Sequence, residues 1–172
     1  MNATLDNQGS SAGSDLSALA GKYLTFSLGE EIYGLEILKV HEIIGLMTIT
    51  RVPRTPAYIR GVINLRGKVI PVVELRKKFE LDCVEDTERT CIIVVQIVHN
   101  AQPITMGILV DEVSEVVDIS GGQLAAAPNL GASIDTAYIR AMGKVANHVV
   151  ILLDADRVLT TGEIEAVSGI TA

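Results

Sequence analysis

Two carboxylates, Glu74 in "VELRK" and Asp154 in "LDADR", close similar Val/Ile/Leu runs at positions eighty residues apart. Acids brought together from two halves of a chain can share one proton and work as a general acid and a general base. Sites of that kind hold each acid in a tight Asp-Thr/Ser-Gly turn. Here both acids stand at the start of a helical stretch, where a carboxylate accepts from free amides and favours the helix dipole. Capping is therefore the expected role of both, with a small hydrolase as the alternative. The remaining chemistry-bearing residues do not assemble. His41, His99 and His148 share no spacing with one another or with Cys83 and Cys91. There is no GxSxG elbow, Walker loop or GxGxxG, and Gly121-Gly122 is an ordinary turn. No catalytic residue, metal site or cofactor is expected. The two cysteines lack a CxxC partner and read as reduced, buried thiols.

Charge carries more information. The chain has 172 residues and a net charge of −7, opposite in sign to the footprint of a nucleic-acid binder. Yet Arg51 to Lys78 holds eight basic residues and one acid, Glu74. Residues 1–84 come to +1 and residues 85–172 to −8. A charge run is ordinarily a solvated face. A basic patch on an acidic protein would also steer acidic partners, with Arg51, Arg54, Arg60 and Arg66 contributing. The Arg76-Lys77-Lys78 run is expected to cover a barrel end with its aliphatic stems.

The elements that must position these residues are mostly strands. Hydrophobic residues make up 48% but aromatics only 3%, so the core is aliphatic and rich in β-branched side chains. Residues 1–20 read as a mobile tail, residues 21–162 as the folded domain and residues 163–172 as a second tail. "KYLTFSL" alternates as a half-buried strand, "LGEE" turns, and "EIYGLEI" returns. Thr55-Pro56 predicts a short helix over 56–60. "VINLRGKVIPVVEL" reads as a hairpin with Gly67 at positive φ, "LRKKFEL" as a short helix, and "HNAQP" as the turn of a further hairpin. The longest apolar runs are strand length, too short to span a bilayer. The amino terminus has no basic segment followed by an apolar stretch, so no signal peptide is expected.

The chain also repeats. "YIRGVINLRGKVIPVVELRKKF" (58–79) lies over "YIRAMGKVANHVVILLDADRVL" (138–159) at an offset of 80. "YGLEILKVHEII" (33–44) lies over "MGILVDEVSEVV" (106–117) at an offset of 73, matching Gly34 with Gly107 and Glu42 with Glu115. Two segments in the same order predict two small barrels of similar plan, side by side.

"YLTFSLGEEIYGLEILKVHEI", "RTPAYIRGVINLRGKVIPVVELRKKF" and "GILVDEVSEVV" together resemble the CheW family of bacterial chemotaxis coupling proteins, from about Lys22 to about Leu159. The resemblance implies a mainly β fold of two SH3-like five-stranded β-barrel subdomains sharing a core, with short helices and no enzymatic activity. It implies an adaptor between the cytoplasmic tip of chemoreceptors (methyl-accepting chemotaxis proteins) and the regulatory domain of the histidine kinase CheA. Such a protein works in the cytoplasm, at membrane receptor arrays of the cell pole, without inserting into the membrane or binding nucleic acid. A scaffold of the same fold in a non-flagellar receptor-kinase pathway is the alternative.

Carried over by position, Val40, Glu42, Gly61 and Arg66 on the first barrel and Val113 and Val116 on the second match receptor-binding positions. An apolar channel seats the stripe of a receptor helix, and an arginine at its rim fixes the register by charge-assisted hydrogen bonds. Asn129 and Leu130, in "AAAPNLGA", match a loop implied in kinase contact. That loop is smaller and less charged here than the family pattern.

Overall fold

The computed structural model describes residues 16–82, 84–126, 138–159 and 163–164. The strands are β1 (Gly21–Leu28), β2 (Glu31–Glu36), β3 (Val40–Gly45), β4 (Ile59–Leu65), β5 (Lys68–Glu74), β6 (Cys91–His99) and β7 (Gln102–Val110). β8 (Glu112–Ile119), β9 (Leu124–Ala125), β10 (Ile139–Val145) and β11 (His148–Leu153) follow. One helical turn, α1 (Leu75–Lys78), follows β5 directly.

The protein is mainly β, in two sheets of order β8-β1-β2-β11-β10-β9 and β3-β6-β7-β5-β4. The repeat equates β4–β5 with β10–β11 and β2–β3 with β7–β8, and β1 then corresponds to β6. Under that exchange one sheet order becomes the other, apart from the two-residue β9. The two sheets sharing a core are as expected, but neither is built from one half of the chain alone. One sheet takes β1 and β2 from the first half and β8–β11 from the second; the other takes β6 and β7 from the second half and β3–β5 from the first. The register agrees: Gly34 pairs with Leu152 across the parallel β2·β11 contact, and Gly107 with Val72 across β7·β5. Both glycines sit where a Cβ would crowd the neighbouring strand, 2.9 Å from Leu152 and 2.7 Å from Ile92 respectively.

Exchange explains why β1 and β6 are buried on both faces. In β6, Ile93, Val95 and Ile97 enter a core between the sheets, while Ile92 and Val94 enter a core with Ile63, Ile70, Val72 and Leu109. In β1, Leu24, Phe26 and Leu28 join the shared core and Tyr23 a third cluster around Ile119 and Leu152. The expected half-buried strand is thus a fully buried one. Thr25, 3% exposed, sits where the β1·β8 register shifts. Its hydroxyl donates to the Glu115 carbonyl (2.8 Å) and accepts from the Glu115 amide (3.2 Å), replacing the lost ladder bond. Few as they are, the aromatics concentrate: Phe26, Tyr33, Phe79 and Tyr138 stack in succession at 5.8, 5.6 and 4.7 Å through the shared core.

Leu16 and Leu19, in the stretch expected to be a tail, pack on the third cluster, and the Tyr23 hydroxyl donates to the Leu19 carbonyl at 2.6 Å. The helix expected over 56–60 does not form. Thr55 donates its hydroxyl to the Val52 carbonyl (2.9 Å) instead of capping, and the chain makes one turn before entering β4 at Ile59. Tertiary pairing overrides the Thr-Pro signal, because Ile59 must meet Val73 and Val62 must meet Thr50. The hairpins follow expectation. Arg66 (φ 52°) and Gly67 (φ 86°) close β4–β5, and Asn100 (φ 51°) and Ala101 (φ 61°) close β6–β7, the double left-handed pattern of a type I′ turn.

Candidate partner-binding site

Glu74 ends β5 and Asp154 follows β11, in different sheets, and each is held by its own neighbours rather than by the other. The helix expected after Asp154 does not form; its Oδ1 accepts from the Asp156 amide at 3.1 Å within a turn. Glu74 stands at the cap position of α1 but makes no capping hydrogen bond. Its side chain turns inward, 7% exposed, with Arg60 Nη1 at 3.5 Å and Lys77 Nζ at 3.6 Å. Oε2 is buried without a hydrogen-bond partner among the described residues. The three histidines fall on three different strands, and no group of three His, Cys, Asp or Glu among the described residues is placed to hold a metal. Cys91 is half-buried and unpaired, with burial raising its thiol pKa; Cys83 lies outside the described residues.

Most of the positive segment is neutralised by acids remote in sequence. Arg60 pairs with Asp86 at 2.5 Å and Lys78 with Glu163 at 2.7 Å. Arg76 grips Asp111 through Nε–Oδ1 (2.8 Å) and Nη2–Oδ2 (2.5 Å), and donates to the Asp82 carbonyl at 2.7 Å. The Arg76–Lys78 run therefore does more than cover a barrel end: it ties α1 to the β7–β8 turn and to the chain beyond β11. Arg60 and Arg66 are both paired, which leaves Arg51 and Arg54 as the arginines of the predicted patch facing solvent without a carboxylate among the described residues.

Of the six carried-over receptor positions, the structure joins two. Arg66, at the tip of the β4–β5 turn, forms an ion pair with Glu42 on β3, with Nη1 also donating to Oε2 at 3.3 Å. Hydrogen bonding from that guanidinium holds the Glu42 carboxyl below its usual pKa range. The Arg66 side chain is 68% exposed. Two of its five N–H groups face Glu42, and the rest of the fork is free to meet a partner. Val40, paired with Val95, leans on the shared core. Val113 leans on the same core from β8, paired with Phe26. The repeat makes these two valines equivalents. Val116 is half exposed on β8. Gly61 is buried in β4, with the chain at 49–50 laid directly over it. Asn129 and Leu130 lie outside the described residues.

Sequence reasoning missed the apolar surface beside Glu42. Ile43, on edge strand β3, is 45% exposed, and Leu46 and Met47 just after it are 39% and 36%. Ile43 is the repeat equivalent of Val116, so the offset of 73 that selected one could have selected the other.

Edge strands β3 and β8 thus present apolar residues outward, beside a paired but exposed arginine. A family model described as "CheW-like domain" matches residues 22–163. The chain is 37% identical over 160 residues to the chemotaxis protein CheW of Klebsiella aerogenes, covering 90% of this chain and 94% of that one. It is 34% identical to the CheW of Bacillus subtilis, covering 80% and 86%. The scaffolding protein TtCheW of Thermoanaerobacter tengcongensis superposes with a TM-score of 0.73 at 35% identity, covering 84% of this chain and 91% of that one. The chain belongs to the CheW family, whose members act as chemotaxis scaffolds.

Proposed function

We propose that this protein is a non-catalytic adaptor coupling chemoreceptors to a CheA-type histidine kinase in the cytoplasm, beneath receptor arrays at the cell pole. Family membership across residues 22–163 carries the reading. No helix among the described residues is long and apolar enough to cross a membrane, which accords with recruitment by receptors rather than insertion.

In this reading the receptor tip, a helical hairpin, seats its apolar stripe near Val40, Val113 and Val116, and Arg66 contacts its polar edge. Glu42 orients the guanidinium, so less rotamer freedom is lost when the receptor arrives. Gly61 keeps β4 close under the 49–50 crossing and so holds the Arg66 hairpin in place. The kinase regulatory domain takes a different surface that includes Asn129 and Leu130.

Arg66→Ala tests the assignment. The hairpin turn stays intact and the side chain is exposed, so the melting temperature should shift no more than for an ordinary surface change. Affinity for a receptor cytoplasmic fragment should fall about ten- to a hundred-fold, the effect of losing one charge-assisted hydrogen bond. Affinity for the kinase regulatory domain should be retained. Equal weakening of both, or a large fall in melting temperature, would make Arg66 a structural residue.

A further inference from the structure

Arg51, Arg60, Lys77 and the buried Glu74 face one another across a cleft of about 390 Å³, whose remaining walls are Ile49 and Val84. A second hollow of about 240 Å³ continues it past Arg51 and Lys77 to Arg54. Arg51 and Arg54 are exposed and have no ion-pair partner among the described residues. With Lys68, which lies outside the cleft, they are the unspent part of the positive segment. The floor is unusual for a basic cleft: Glu74 is buried, and its Oε2 accepts no hydrogen bond among the described residues. Arg60 and Lys77, at 3.5 and 3.6 Å, balance the charge of that oxygen without a hydrogen bond to it, and a ligand that brings a donor supplies the bond it lacks.

The two features select against a simple anion. Inorganic phosphate would satisfy the arginines but meet the Glu74 carboxylate as a like charge. A nucleic acid would add the repulsion of a protein whose net charge is −7. A polypeptide with acidic side chains has both halves of the match. Its carboxylates reach Arg51, Arg54 and Lys77, an N–H or hydroxyl donates to Glu74, and short aliphatic stems rest on Ile49 and Val84. We propose that this cleft binds an extended acidic peptide segment of a partner protein, at a site separate from the Arg66–Glu42 pair.

The test uses the full chain and a fluorescein-labelled peptide alternating glutamate with valine, read by anisotropy at low ionic strength. Saturable binding is expected, weakened about tenfold or more by Arg51→Ala combined with Arg54→Ala. Lys68→Ala, an exposed basic change on β5 outside the cleft, should leave it unchanged. Replacing every glutamate of the peptide with glutamine should abolish binding. Tripolyphosphate should displace the peptide poorly from the unaltered chain and far better from Glu74→Gln, which keeps the shape of the floor and removes its charge. Absence of saturable binding, equal loss with Lys68→Ala, or tripolyphosphate or an oligonucleotide displacing the peptide readily from the unaltered chain would overturn the proposal. Because no arm uses a receptor or a kinase, failure here leaves the adaptor reading standing.

Discussion

Gly61→Val should lower the stability of the protein by about 3–5 kcal/mol, from backbone strain and overpacking acting together. Gly61 has φ 152°, a conformation that side chains other than hydrogen rarely adopt. An added Cβ would lie 2.2 Å from the Thr50 carbonyl oxygen and 2.8 Å from Ile49 Cγ2. Thr50 cannot step aside, because it exchanges two 2.8 Å hydrogen bonds with Val62. Either that bridge breaks and the 46–58 segment lifts off β4, or β4 loses its register with β5. Gly67 is the internal control. It has φ 86° but nothing within 4 Å of an added Cβ, so Gly67→Ala should cost only about 1 kcal/mol. Urea unfolding of the two variants checks both values. A Gly61→Val midpoint close to that of Gly67→Ala would show that the 49–50 crossing is not held against β4. Loss of receptor binding in a Gly61 variant, on this geometry, follows from loss of the fold around it.

Asp111→Ala should cost about 2–3 kcal/mol at neutral pH, because one carboxylate serves three donors from two elements. Two come from Arg76, whose side chain is 12% exposed, and the third is the Gly29 amide at 2.8 Å in the β1–β2 turn. The contact therefore joins α1, behind one sheet, to a hairpin of the other. Hydrogen bonding from Arg76 holds the Asp111 carboxyl below its usual pKa, so the folded state binds the proton less readily than the unfolded chain. Such a group contributes its stability fully above the unfolded value, near pH 4, and loses it as pH falls through the folded value. The stability difference between Asp111→Ala and the parent should be constant above about pH 5 and should shrink below about pH 4. Chemical unfolding at a series of pH values measures it. A difference that stays constant to low pH would mean the ionised pair contributes nothing.

Local patterns foretold local structure well. Alternation located the strands, and the offsets of 73, marked by Gly34 and Gly107, and 80, marked by Tyr-Ile-Arg, matched β2–β3 with β7–β8 and β4–β5 with β10–β11. The exchange of β1–β2 and β6–β7 between sheets was not legible, since either assembly buries the same apolar residues and pairing between distant strands leaves no mark on either strand alone. The same limit governed charge. Arg60, Arg76 and Lys78 looked unopposed because their acids, Asp86, Asp111 and Glu163, lie 26, 35 and 85 residues away. Glu74 has the sequence signature of a cap because a helix does begin after it. The cations on β4 and α1, not the helix amides, set where its side chain goes. Asp154 has Arg157 at 3.7 Å, but Arg140, the repeat equivalent of Arg60, turns to Glu36, and one Asp154 oxygen stays on a local amide. At the candidate site the Arg66 turn was readable from "LRG", whereas its pairing with Glu42 depends on β3 and β4 meeting at the rim of one curled sheet.

The adaptor reading stands or falls on simultaneous binding. The direct measurement is sedimentation of receptor cytoplasmic fragments, clustered on vesicles, with the kinase regulatory domain in solution and this protein added in steps. The kinase domain should pellet in proportion to the added protein, and Arg66→Ala should need about ten- to a hundred-fold more protein for the same recruitment while still binding the kinase domain in solution. Receptor and kinase domain displacing each other, or neither pelleting with a protein shown to be folded by circular dichroism, would contradict it.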